Sequence, residues 1–248
     1  MAVVLASSGC SSSADGVPGE QATSIALAPG SQQAWCAGQG TPVVLVSGIG
    51  DDASSLQWLT VEGGLSDRAR VCRYDRPGTG RSPAPAQDGR GADELTAELD
   101  AVVRHAGRTA PVVVVAHSFG GYLARVYADR HPDGVAGLVL VDALDPFVGL
   151  LRGTGAATLD DVPMADEDLD LRDVEAAAAR VDALPHDPPL TVLSRGRDTT
   201  AAWTVGQQRL AALSSRAEVE VVADAGHQIP TEAPEAVVAA VEEMLADG

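Results

Sequence analysis

The sequence predicts an α/β domain: a mostly parallel central sheet flanked by helices, with a small insertion above it. Three observations carry the prediction. Short, continuously apolar runs of strand length recur along the chain, each ending at glycine, aspartate or a Pro-Gly turn. Segments with apolar residues at helical spacing alternate with them, the rhythm of strand–helix–strand units. The chain has 248 residues, 45% of them apolar, enough for one sizeable core.

The elements follow in order. Thr41–Ser47 (TPVVLVS) is an apolar run that ends at Gly48. Ala69–Tyr74 is a second strand, closed by Asp75 and a Pro-Gly turn. Residues 92–106 are helical, because Leu95, Leu99, Val102, Val103 and Ala106 share one face and Gly107 stops the run. Pro111–Ala116 contains four consecutive valines and is the most β-prone stretch. A helix follows from about Gly120 to Arg130, ending at His131-Pro132. Val135–Val141, Leu190–Ser194 and Val219–Val222 are the remaining strands. Pro234 opens the last helix, with Val237, Val238, Val241 and Leu245 in one stripe. Residues 146–186 break the rhythm with a run of acidic residues and one helical stretch near 172–181, and are read as a small lid. The domain organisation is thus a disordered tail over 1–22 and one domain over 23–248.

Composition removes several kinds of chemistry. All 17 cationic residues are arginine, so Schiff-base lysines and the lysine of a phosphate-binding loop are absent. Against 35 acidic residues they leave a net charge of −18, which repels phosphate backbones and argues against nucleic acid as a partner. No apolar run approaches the ~20 residues of a membrane-spanning helix.

The chemistry-bearing residues lie after the strands. In Ala116-His-Ser-Phe-Gly-Gly121, Ser118 stands between a buried strand and a helix, with small residues two positions to either side. This is a nucleophile-elbow arrangement: small neighbours permit the sharp turn, and the helix aims its first amides at the same point. A serine hydroxyl needs a base. Of five histidines, His227 follows the last strand directly, at the sheet edge where sites assemble. The base needs an orienting carboxylate. Asp198, in the Gly-Arg-Asp turn after Leu190–Ser194, is favoured because Ser–Asp–His is the usual chain order; Asp142 and Asp145, after Val135–Val141, compete with it. The oxyanion donors are assigned to the amides of Phe119, next to the nucleophile, and Ile49, in Ser47-Gly-Ile-Gly50.

With these motifs in order, together with Tyr-Asp-Arg-Pro-Gly-Thr-Gly-Arg-Ser (74–82) and Leu-Val-Leu-Val-Asp (138–142), the chain resembles the α/β-hydrolase superfamily over about residues 25–245. It is similar in particular to exported actinobacterial serine hydrolases. The 74–82 segment is read as a structural turn beneath the site. The resemblance implies that the strand before Thr41 lies beside the strand 69–74, making Cys36 and Cys72 neighbours and a disulfide; such a bond closes a loop of about 35 residues and stabilises by ~3–4 kcal/mol. The expected activity is cleavage of an ester, thioester or amide through an acyl-enzyme, with a small acyl substrate and no metal or cofactor. An acyltransferase, or a biosynthetic cyclase or lyase on the same fold, is the rival; a non-catalytic binding module is the third reading. Gly9-Cys10 after a short apolar start resembles the end of a lipoprotein signal. Lipidation of Cys10 would give a membrane tether and a location outside the cell or on its envelope, with the cytoplasm as the alternative.

Overall fold

The computed structural model describes residues 21–53, 56–107, 110–155, 157–158, 161–162, 164 and 166–246. The expected lipidation site at Cys10 and nearly all of the expected tail lie outside the described residues. The elements in chain order are β1 (Thr23–Ala26), β2 (Ser31–Ala37), β3 (Thr41–Val46), α1 (Leu56–Leu65), β4 (Ala69–Asp75), α2 (Ala92–Gly107), β5 (Val112–His117), α3 (Gly120–Arg130), β6 (Val135–Val141), α4 (Leu150–Thr154), α5 (Leu171–Ala179), β7 (Leu190–Arg195), α6 (Ala201–Ala211), β8 (Ala217–Val222), α7 (Ile229–Glu232) and α8 (Pro234–Ala246).

The eight strands form one sheet in the order β1-β2-β4-β3-β5-β6-β7-β8. From β4 to β8 every pairing is parallel, and β1 and β2 add an antiparallel edge. Cys36 and Cys72 are direct partners across β2 and β4, and a disulfide joins them. Beyond the runs read from sequence and the strand before Thr41 that the resemblance implies, the structure adds β1 and the helices α1, α4, α6 and α7. Helix α1 has almost no amphipathic periodicity, because Trp58, Val61 and Leu65 are buried while Gly63 and Gly64 interrupt the pattern.

The four valines of β5 explain why this strand is central. Val112 and Val114 point into one core layer and Val113 and Val115 into the other, so a continuous apolar run covers both faces. One layer packs β3, β5 and β6 against α2, α3 and α6; the other packs them against α1 and α8. The α2 stripe from Leu95 to Ala106 is buried as its spacing requires, and so are Val237 and Val241 of α8. Close approach at the β5–α3 junction depends on two glycines. A Cβ on Gly120 would stand 2.7 Å from the Val46 carbonyl oxygen, and one on Gly121 would stand 2.5 Å from the Cβ of Ala143. The parallel strands end along one edge, where Ser47, Ser118, Asp142 and Gly196 begin their loops.

Candidate active site

Ser118 sits in the turn between β5 and α3 with a φ of +54°, a strained conformation for a non-glycine residue. The turn is held on both sides: the Ser118 amide donates to the Val141 carbonyl, and its own carbonyl accepts from the amides of Gly121 and Leu144. Gly48 lies against it, for a Cβ there would meet Ser118 Cβ at 3.4 Å and His117 Nδ1 at 3.3 Å. Among the described residues, neither the Ile49 amide nor the Phe119 amide is taken up in a hydrogen bond, so both donors expected from the sequence are free.

His227 Nε2 is 3.0 Å from Ser118 Oγ, and His227 Nδ1 is 2.6 Å from Asp142 Oδ2. A carboxylate only accepts, so Nδ1 carries the proton and Nε2 is free to accept from the hydroxyl. The loop bearing His227 is pinned at several points. The Gly226 amide donates to Glu232 Oε2 at 2.9 Å, and the amides of Gly196 and Arg197 donate to the Ala225 carbonyl. His117 lies 4.8 Å from the His227 ring and donates from Nε2 to the His227 carbonyl oxygen at 2.9 Å. Burial, and next the neighbouring His227, push the His117 imidazole down to about 4, so it stays neutral.

The carboxylate that meets His227 is not the one favoured from the sequence. Asp198 is exposed, in the turn after β7, and among the described residues no hydrogen bond joins it to His227. An imidazole reaching from the loop after β8 to Ser118 passes over the ends of both β7 and β6, so the difference lies in how those two strands end. Asp142 is the first residue after β6, the strand beside β5, and is fully buried, whereas Asp198 stands three residues past the end of β7 in an exposed turn. The Gly-Arg-Asp turn contributes backbone amides to the His227 loop instead of a carboxylate. Asp145, the other competitor, is buried elsewhere, between Arg125 Nη1 at 3.0 Å and Arg209 Nε at 3.1 Å.

Asp142 is fully buried and fully engaged. Its Oδ1 accepts from Trp203 Nε1 at 2.8 Å and from the Arg195 amide at 3.1 Å, and Arg195 Nη1 lies 3.5 Å from Oδ2. The Arg195 guanidinium stacks 4.0 Å above the Trp203 ring. Trp203 was invisible as a site residue because nothing near it in sequence carries a motif; it arrives on α6.

A second polar cluster lies beside the first. Arg76, from the 74–82 segment, is buried and donates to the carbonyls of Ser47 (2.9 Å) and Gly48 (2.6 Å), and to both oxygens of Glu167 (2.5 and 2.9 Å). Burial opposes its charge, but the Glu167 carboxylate outweighs that and holds the guanidinium above its ordinary range. The segment is structural, as read from sequence, and what it supports is the loop carrying Ile49. Asp75 accepts from the amides of Ala53 and Arg81, which closes that support. Among the described residues no group of three or more potential metal ligands occurs.

A family model described as the alpha/beta hydrolase fold matches residues 41–167, just over half of the 248-residue chain. Among curated proteins, the chain is 35% identical over 105 residues to a human (lyso)-N-acylphosphatidylethanolamine lipase, a match covering 41% of this chain and 30% of the lipase. It is 35% identical over 120 residues to the 2-hydroxy-6-oxo-2,4-heptadienoate hydrolase of Pseudomonas putida, covering 48% of this chain and 43% of that hydrolase. The matches thus span less than half the length of these relatives. Among solved structures, a meta-cleavage product hydrolase from Pseudomonas fluorescens superposes with a TM-score of 0.71 at 20% identity, over 91% of this chain and 97% of that one. A thermophilic esterase from Thermogutta terrifontis superposes with a TM-score of 0.66 at 24% identity, over 92% and 98% of the two chains. By the family match and the shared fold, this chain belongs to the alpha/beta hydrolase family.

Proposed function

We propose that the protein is a serine hydrolase that cleaves an ester, thioester or amide through an acyl-enzyme. The observation that carries this reading is the unbroken relay from Asp142 Oδ2 through His227 to Ser118 Oγ, at 2.6 and 3.0 Å. In this mechanism His227 Nε2 takes the hydroxyl proton as Ser118 Oγ attacks the carbonyl carbon. Asp142 holds the tautomer and stabilises the imidazolium. The amides of Ile49 and Phe119 receive the developing oxyanion, with the amino-terminal end of α3 behind Phe119. The imidazolium returns the proton to the leaving group. A water, activated by the same ring, then releases the acid and restores the serine. The hydrolase, lipase and esterase names among the relatives favour carbonyl substrates.

The segment over 146–186 acts in this reading as a lid, entering directly after the β6 loop that carries Asp142. The Cys36–Cys72 disulfide fits an exported protein, since such bonds persist in oxidising compartments.

A fluorophosphonate probe tests the reading. The expected result is a single covalent adduct on Ser118, with loss of p-nitrophenyl ester turnover in step with labelling. A Ser118→Ala variant that keeps full esterase activity overturns it.

A further inference from the structure

Glu167 has no exposed surface and plays no part in the Ser118–His227–Asp142 relay. Its carboxylate takes three donors: Arg76 Nε at 2.5 Å, Arg76 Nη2 at 2.9 Å and the Gly50 amide at 2.8 Å. The last donor lies 117 positions away in sequence. Glu167 belongs to the segment between β6 and β7, whereas Gly50 and Arg76 belong to the loops after β3 and β4.

The peptide geometry around Ile49 gives these contacts their meaning. The peptides here are trans, and in a planar trans peptide the C=O and N–H point in opposite directions. The Gly48 carbonyl and the Ile49 N–H belong to one such plane. Arg76 Nη2 holds that carbonyl at 2.6 Å, so the Ile49 N–H is aimed away from the guanidinium. The next plane, carrying the Gly50 N–H, is turned the other way and held by Glu167 Oε1. Gly50 has a φ of +69°, which lets the chain reverse there. Both peptides flanking Ile49 are therefore fixed by one buried ion pair. The same guanidinium stands 5.9 Å above the Phe119 ring, on the residue that supplies the second donor.

Glu167 reaches this place only when its own segment is docked. The Asp166 amide donates to the Gly78 carbonyl, the Arg90 amide to the Asp168 carbonyl, and the Asp170 amide to the Arg90 carbonyl. Arg90 Nη2 bridges the carbonyls of Glu167 and Pro77 at 2.5 and 2.8 Å, and its Nη1 is held by both oxygens of Glu98.

We infer that Glu167 is a positioning residue for the oxyanion donor: with Arg76 it sets the Ile49 amide, and because it is carried by the lid, the donor is set only when segment 166–170 is docked. The inference rests on the serine-hydrolase reading above. It differs from a packing role in what it affects, since a misaimed donor weakens the tetrahedral state and leaves ground-state binding of the ester nearly intact.

The test compares wild type with Glu167→Gln, which keeps the shape and removes the charge, and with Arg76→Lys, which keeps a cation and removes the two-pronged donor. Hydrolysis of p-nitrophenyl acetate, inhibition by a phenylalkyl boronic acid that forms a tetrahedral adduct on Ser118, and thermal unfolding are measured for each. Loss of one whole oxyanion donor costs roughly 100- to 1,000-fold in kcat, so a misaimed one is expected to cost roughly 10- to 100-fold. KM stays within about threefold, and boronate affinity falls by the same factor as kcat/KM. Arg76→Lys carries the comparison if Glu167→Gln does not fold. Folded variants with wild-type kcat and boronate affinity overturn the inference, as does a loss confined to KM. A wild type that ignores the boronic acid, together with an active Ser118→Ala variant, overturns the hydrolase reading as well; wild-type sensitivity with unaffected variants overturns the inference alone.

Discussion

The indole Nε1 of Trp203 donates to Oδ1 of Asp142 at 2.8 Å, leaving Oδ2 of the same carboxylate to receive His227 Nδ1–H. Each oxygen of this buried acid thus has its own assigned donor, and rotation of the carboxylate would break both bonds. A hydrogen bond to a charged group contributes about 1.5–3 kcal/mol. Trp203→Phe keeps the ring and removes the donor, and is expected to lower kcat/KM roughly 10- to 100-fold with the fold retained. Steady-state kinetics on a p-nitrophenyl ester decide this; undiminished turnover would reduce Trp203 to a packing role.

Asp142 and Asp198 are separated by a direct comparison. Asp142→Asn keeps the shape but inverts the hydrogen-bond demand on Nδ1, trapping the wrong imidazole tautomer, a change that costs about 10,000-fold in kcat in serine proteases. Asp198→Asn alters an exposed turn residue whose φ of +52° asparagine accepts readily. It is expected to leave kcat within about twofold, as surface changes of under ~0.5 kcal/mol do. Equal losses in both variants would contradict the geometry described above.

His117 makes the fold sensitive to acid. Its imidazole falls from an ordinary 6.5 to about 4 on burial, so the unfolded chain takes up a proton that the folded chain refuses. Stability from this group is complete above pH 6.5 and is lost as pH falls towards 4. The total is on the order of 3 kcal/mol. His117→Gln can still donate to the His227 carbonyl but does not titrate. Urea midpoints measured from pH 7.5 down to 4 are expected to fall less steeply for this variant than for wild type; parallel slopes would refute the assignment.

The disulfide is expected to matter for stability and little for chemistry. It closes a 36-residue separation between two strands already in register. Constraint of the unfolded chain by a loop of that size is worth ~4 kcal/mol in the chain-entropy model. A Cys36→Ser/Cys72→Ser double variant should unfold at a markedly lower denaturant concentration, with kcat unchanged in its native range. Coincident unfolding curves for variant and wild type would show that the bond contributes nothing.

The alternation of strands and helices, the fold family, and two site residues whose positions are set locally can be read from the residues in order. Ser118 was legible because a four-valine strand, small residues and a helix start surround it within ten positions, and the strained turn they form is a local event. His227 was legible because it follows the last strand directly. Which carboxylate lies against the imidazole emerges only from packing. Asp142 and Asp198 both follow a parallel strand, and the choice depends on β6 being the strand paired with β5 and on the turn after β7 leaving Asp198 in solvent, relationships that no local pattern records. The same holds for Trp203 and Glu167, which come from α6 and the segment before α5. A hydrogen bond between residues 61 or 117 positions apart exists only once packing has brought two distant loops to one edge, and until then the polar groups involved look like any others.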